Sequence, residues 1–211
     1  MRYPAFLLVI VPLLTSTGCA ATDGELFNGH DFTGWEYVSK PAAGISTVCK
    51  ILPDGVIAAA GSPVGYITTL ASYKNYRLHC EWRWPGKAGN SGVLIHIQSK
   101  PTDESWPYCH QVQMKTKSVA DLLPMAGATF AEPLEPSPKN PRRPHTAADS
   151  EKPAGEWNAC DIVCRDGTIE VTLNGVLQNK VTAAKPSEGR VGFQFEGTPF
   201  ELRHVRLIPL D

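Results

Sequence analysis

The sequence predicts an all-β protein of two packed antiparallel sheets, a sandwich or jelly roll, and three observations carry that prediction. From Tyr66 onward apolar and polar residues alternate in runs of about five to eight residues, the period of half-buried strands. Gly, Pro, Asn or Asp ends each run, and two of the breaks, Asp166-Gly167 and Asn174-Gly175, have the composition of tight hairpin turns. No segment keeps the 3.6-residue period of a helix. The runs amount to about ten to twelve strands, too many for one open sheet without long exposed edges, so two sheets are expected.

Each element follows from its own pattern. Between Arg77 and Trp84, Leu78, Cys80, Trp82 and Trp84 share one side, and Arg77, His79, Glu81 and Arg83 share the other; the first set is core. From Val93 to Gln98 the inward set is Val93, Ile95 and Ile97, with Leu94, His96 and Gln98 opposite. Gln111 to Lys115 buries Val112 and Met114 and presents Gln111, Gln113 and Lys115. Asp161–Cys164 and Thr168–Leu173 flank the first hairpin turn, and Asn174-Gly175 leads into Val176–Val181. Val191, Phe193 and Phe195 alternate with Gln194 and Glu196, and Phe200 to Leu207 alternates again. Residues 131–156 hold six prolines, which preclude a central strand and leave a long irregular loop, either a lid over a site or a mobile excursion.

The chain ends and the charge bound the function. Arg2 precedes an apolar run from Ala5 to Leu14, too short to span a bilayer but suited to a secretory signal. The small polar stretch that follows ends in Gly18-Cys19, similar to a bacterial lipoprotein box, with Ser16 where that box has Leu. Residues 1–18 are therefore expected to be a signal peptide and Cys19 an acylated anchor, which places the protein on the periplasmic or cell-surface side of a bacterium. An ordinary secreted protein is the alternative. Residues 20–211 read as one domain. With 20 Lys and Arg against 21 Asp and Glu there is no basic field to collect phosphates, so no nucleic-acid partner is expected. The other five cysteines, an odd number, read as buried thiols rather than as a disulfide framework.

Four blocks, in order, resemble one family. Leu26 to Trp35 resembles its opening motif, Gly89-Asn90-Ser91-Gly92-Val93-Leu94 its Gly-Asn-Ser-Gly turn, and Glu156-Trp157-Asn158 through Asn174-Gly175 its long hairpin. Gly189 to Gln194, followed by Glu196-Gly197, resembles its closing strand. The family is that of the 3-keto-disaccharide hydrolases, or 3-keto-glucoside lyases and hydratases, formerly a domain of unknown function. The resemblance implies a concanavalin A-like jelly roll of the lectin and glucanase type. It also implies cleavage of a glycosidic bond in a sugar already oxidised at C3: the ketone acidifies the C2 proton, a base removes it, the enolate expels the oxygen at C1, and water adds back. Such a site needs a base near C2, a group that stabilises the enolate, and an acid near the leaving oxygen. A divalent metal is left open as the stabilising group.

If the four polar strand sides lie in one sheet, they form a single concave face. Glu81 is then the chosen general base, with an ion pair to Arg83 or Lys115 as its alternative. His96 is the second catalytic candidate, as a donor to the enolate or a metal ligand, with a hydrogen-bonded histidine as the alternative. Gln111, Gln113, Lys115, Asn90, Gln194 and Trp157 are the substrate-binding candidates, although Asn90 also suits a turn and Trp157 a core. Trp106 is a sugar platform or a loop anchor, and Asp121 a metal ligand or a turn residue. Gln111-x-Gln113 stands where the family pattern has Glu-x-Gln, so an amide replaces a carboxylate; a glutamine orients a hydroxyl but takes no proton. That replacement keeps a second reading open, a non-catalytic carbohydrate-binding lipoprotein using the same face.

Overall fold

Strand alternation is realised in the computed structural model, which describes residues 24–98, 106–137 and 141–211. The expected leader and the anchor at Cys19 lie outside these residues. The six-stranded sheet runs in the order β1 (Trp35–Ser39), β4 (Gly65–Thr69), β12 (Arg190–Phe195), β6 (Gly92–Ile97), β7 (Cys109–Gln113), β8 (Leu122–Met125). The seven-stranded sheet runs β11 (Val176–Val181), β10 (Thr168–Leu173), β9 (Asn158–Arg165), β5 (Tyr76–Arg83), β13 (Phe200–Pro209), β3 (Ile57–Ala59), β2 (Cys49–Ile51). Every pairing is antiparallel. One short helix, α1 (Ile45–Val48), precedes β2.

The core lies between the sheets. Leu78, Cys80 and Trp82 of β5, Ile162 of β9 and Val171 of β10 face Val93, Ile95, Val112, Phe193 and Phe195 of the other sheet, all buried. Each large apolar side chain so buried contributes about 1.5–3 kcal/mol, so the register that keeps this set inside is strongly enforced. Cys49, Cys80, Cys109, Cys160 and Cys164 are all buried free thiols, as expected. Both expected hairpin turns form: Asp166 and Gly167 have φ of 48° and 76°, and Asn174 and Gly175 of 51° and 84°, the left-handed pair that matches strand twist.

Two expectations need correction. β5 pairs with β9 and β13 and so belongs to the seven-stranded sheet, while β6, β7 and β12 belong to the other; the four polar sides do not converge. In β6, Gly192 pairs with Leu94 and Arg190 with Ile97, so two residues, Ile95 and His96, oppose one. This bulge, with His96 at φ 58°, reverses the alternation. His96 turns inward, and Ile97 joins Tyr66, Leu94, Cys109, Leu123 and Met125 in a second apolar cluster.

The proline-rich segment is neither a free excursion nor a simple lid. Arg143 bridges Leu122, extending the six-stranded sheet past β8, with N···O distances of 2.9 and 2.8 Å. The Thr146 amide then donates to the Gln178 carbonyl on β11, and Ser150 Oγ to the Leu173 carbonyl. The segment is a strap joining the edges of both sheets, which also covers backbone that would otherwise be open to edge pairing.

Candidate functional site

On the outer face of the six-stranded sheet, register sets the neighbours. Gln194 of β12, Gly92 of β6 and Gln113 of β7 form one row, and Leu94, Gln111 and Leu123 the next. Gly92 is required here because the Gln111 side chain lies across it: a Cβ at residue 92 would come within 2.6 Å of Gln111 Nε2. Crossing β6 in this way, Gln111 Nε2 donates to Gln113 Oε1 and to Gln194 Oε1, both at 3.1 Å.

One carboxylate stands above this amide floor. Glu196 continues the alternation of β12, and Asn90 Nδ2 donates to its Oε2 at 2.7 Å. Burial raises the Glu196 carboxyl above its ordinary 4.5, and the charge of Lys115 pulls it partly back. With Asn90, Gln111, Gln113, Lys115 and Gln194 it lines a cleft of about 310 Å³. That volume lies at the lower end of ligand cavities, which run roughly from 300 to 1,000 Å³. Trp106, Leu123 and Met125 make the opposite, apolar end. Arg142 reaches the cleft from the strap, its Nε 3.3 Å from Asp121 and its Nη2 3.5 Å from Glu135. Asp121 also accepts from the His145 backbone amide at 2.9 Å and lies 2.8 Å from His145 Nδ1, so it anchors the strap.

Five of the expected binding residues, Asn90, Gln111, Gln113, Lys115 and Gln194, thus share one cleft. Three of the expected site residues lie elsewhere. Glu81 is on the outer face of the other sheet, with Oε2 2.6 Å from Arg203 Nη2 and Oε1 3.8 Å from His79. Trp157 is on that same side, with the guanidinium carbons of Arg83 and Arg203 packed against its ring, 4.5 and 4.2 Å from its centroid. His96 is buried between the sheets against Tyr76 and His110. The group that sequence reasoning passed over as a reactive centre is Glu196, although the alternation that put Gln194 on this face puts Glu196 there too.

The donor set does not suit a protein-held divalent metal. Among the described residues no three His, Cys, Asp or Glu side chains converge. Glu196 feels the cationic Lys115, His96 is inside the sandwich, and the Gln111 and Gln113 amides bind each other. A larger, more open hollow of about 570 Å³ lies on the seven-stranded sheet between Arg77, Arg165, Glu170 and Lys180. Two of its cations are held in pairs, Arg77 with Asp161 at 2.9 Å and Lys180 with Glu170 at 2.7 Å.

Known proteins agree with this architecture. A proposed glycosyl hydrolase from Parabacteroides distasonis ATCC 8503 is 26% identical with a TM-score of 0.64, over 88% of this chain and 93% of the other. A second from the same organism is 20% identical with a TM-score of 0.58, over 83% and 99%. The carbohydrate-binding module CBM66 from Bacillus subtilis is 10% identical with a TM-score of 0.57, over 83% and 95%, a likeness of fold. Functionally curated proteins give no significant match. The model of the 3-keto-alpha-glucoside-1,2-lyase-like domain matches residues 22–208, nearly the whole sequence, and the chain belongs to that family.

Proposed function

We propose that the protein is a carbohydrate-active enzyme that cleaves the glycosidic bond of 3-keto-glycosides by elimination and rehydration, a net hydrolysis. The observation that carries this reading is Glu196, a carboxylate of raised pKa in a cleft that holds no second carboxylate among its described lining residues. A conventional glycosidase needs two opposed carboxyl groups. Elimination needs one base, because the ketone already weakens the C2–H bond.

In the proposed sequence Glu196 takes the C2 proton, and the C–H electrons form the C2–C3 double bond of an enolate, with charge on the oxygen at C3. The enolate then reforms the ketone and a C1–C2 double bond while the C1–O electrons leave with the aglycone oxygen, which takes up the proton that Glu196 removed and so restores the carboxylate. Water adds across C1 and C2, hydroxyl to C1 and proton to C2. Asn90 aims the Glu196 carboxylate, and Lys115 supplies positive charge beside it. The pattern of residues 1–19 supports placing this activity outside the cytoplasm, on a lipid anchor at Cys19.

A second reading, a carbohydrate-binding protein without chemistry, draws on Gln111, an amide at the centre of the floor. Incubating the purified protein with methyl 3-keto-glucoside, with and without a chelator, separates the two. Release of methanol and reducing sugar supports the enzyme. Binding by calorimetry without release supports the module, and neither result removes both.

A further inference from the structure

The polarity of the cleft floor is set by the backbone. Gln113 Oε1 accepts from two main-chain amides, Met114 at 3.1 Å and Lys115 at 3.2 Å. A main-chain N–H only donates, so the oxygen of Gln113 must point at the backbone and its Nε2 away from it. The third group at that oxygen, Gln111, is then bound to present its own Nε2. Gln111 spends its second N–H on Gln194 Oε1, which leaves the Nε2 of Gln194 as a donor as well. Three amide orientations follow from two peptide groups. Neither Gln113 Nε2 nor Gln194 Nε2 is bonded to another described residue, and both side chains line the cleft that holds Glu196.

We propose that Gln111 is a positioning residue that holds Gln113 and Gln194 as a pair of amide donors, and that this pair receives the oxygen at C3 as it becomes an enolate. The inference rests on the elimination reading above. Donors fixed before the reaction favour a developing oxyanion over a neutral carbonyl, because they need no reorganisation when the charge appears.

The test is a double-mutant cycle on full-length protein with methyl 3-keto-glucoside. Gln111→Met breaks the relay and Gln194→Met removes its terminal donor. Each is expected to lower kcat by about 10²–10³-fold with little change in KM, the range for loss of one oxyanion donor. The double variant is expected to be no slower than the worse single variant, because both changes break the same donor. Thermal melts establish that each variant folds; if Gln111→Met does not, Gln111→Leu takes its place in the cycle. A Gln111→Met variant within threefold of wild-type kcat, or strictly multiplicative losses in the double variant, overturns the relay. A wild-type protein that turns over no 3-keto-glucoside instead overturns the elimination reading on which the relay rests.

Discussion

Lowering the pH from 8 to 5 is expected to destabilise the protein through a histidine remote from the cleft. His96 is 1% exposed, and burial, with the neighbouring His110 second, pushes its pKa down from 6.5 to about 3. The unfolded chain therefore binds a proton below pH 6.5 that the folded chain refuses until about pH 3. Stability from this group is fully present above 6.5 and is lost as pH falls toward 3. The complete separation corresponds to about 5 kcal/mol, of which about 2 kcal/mol is gone by pH 5. With a urea slope of about 2 kcal/mol/M, that is a fall of about 1 M in the unfolding midpoint. Burial lowers the His110 pKa as well, so the quantity to measure is the difference between wild type and His96→Asn. Asparagine tolerates the left-handed conformation at φ 58° and carries no titrating group. The variant starts less stable but is expected to lose about 1 M less of its midpoint between pH 8 and pH 5. Equal losses in both proteins would refute the assignment of a neutral, interior His96.

Three further outcomes follow from the cleft. Glu196→Gln is expected to lower kcat at least 10²-fold in the methanol-release assay, and the acidic limb of wild-type kcat/KM to lie above 4.5, activity falling as Glu196 is protonated. Glu81→Gln is expected to stay within about twofold of wild-type kcat/KM, because its partners Arg203 and His79 lie on the other sheet and it touches nothing in the cleft. Gly92→Ala is expected to displace Gln111 and lower kcat by at least about tenfold, read beside a circular dichroism spectrum that stays all-β.

Alternation made the fold legible and misplaced two of the site residues for one reason. It says which residues share a side of a strand, not which sheet the strand joins. Arg77, His79, Glu81 and Arg83 alternate as cleanly as Gln111 and Gln113, yet β5 is claimed by β9 and β13 through pairings distant in sequence. Trp157, just ahead of β9, follows it to that side. His96 failed differently: one extra residue in β6 turned it inward, and a bulge built on histidine rather than glycine leaves no mark in the sequence. The prolines of residues 131–156 correctly announced irregular backbone, but its bridge to Leu122 and its bonds to β10 and β11 depend on partners that composition cannot name.

The Gly-Asn-Ser-Gly turn looked like local turn chemistry, and its side chains do something else. Asn90 bonds the Glu196 carboxylate rather than its own backbone, Ser91 Oγ donates to the Gln194 carbonyl at 2.6 Å, and Gly92 leaves room for Gln111 to cross. Three consecutive residues thus each fix a different part of the floor: the base, the β12 strand that carries it, and the amide relay. A turn built only to reverse the chain would accept Asn90→Asp or Ser91→Thr at small cost. Here Asn90→Asp would set a second negative charge against Glu196 and push its pKa higher still, so the site's chemistry as well as its geometry constrains the motif.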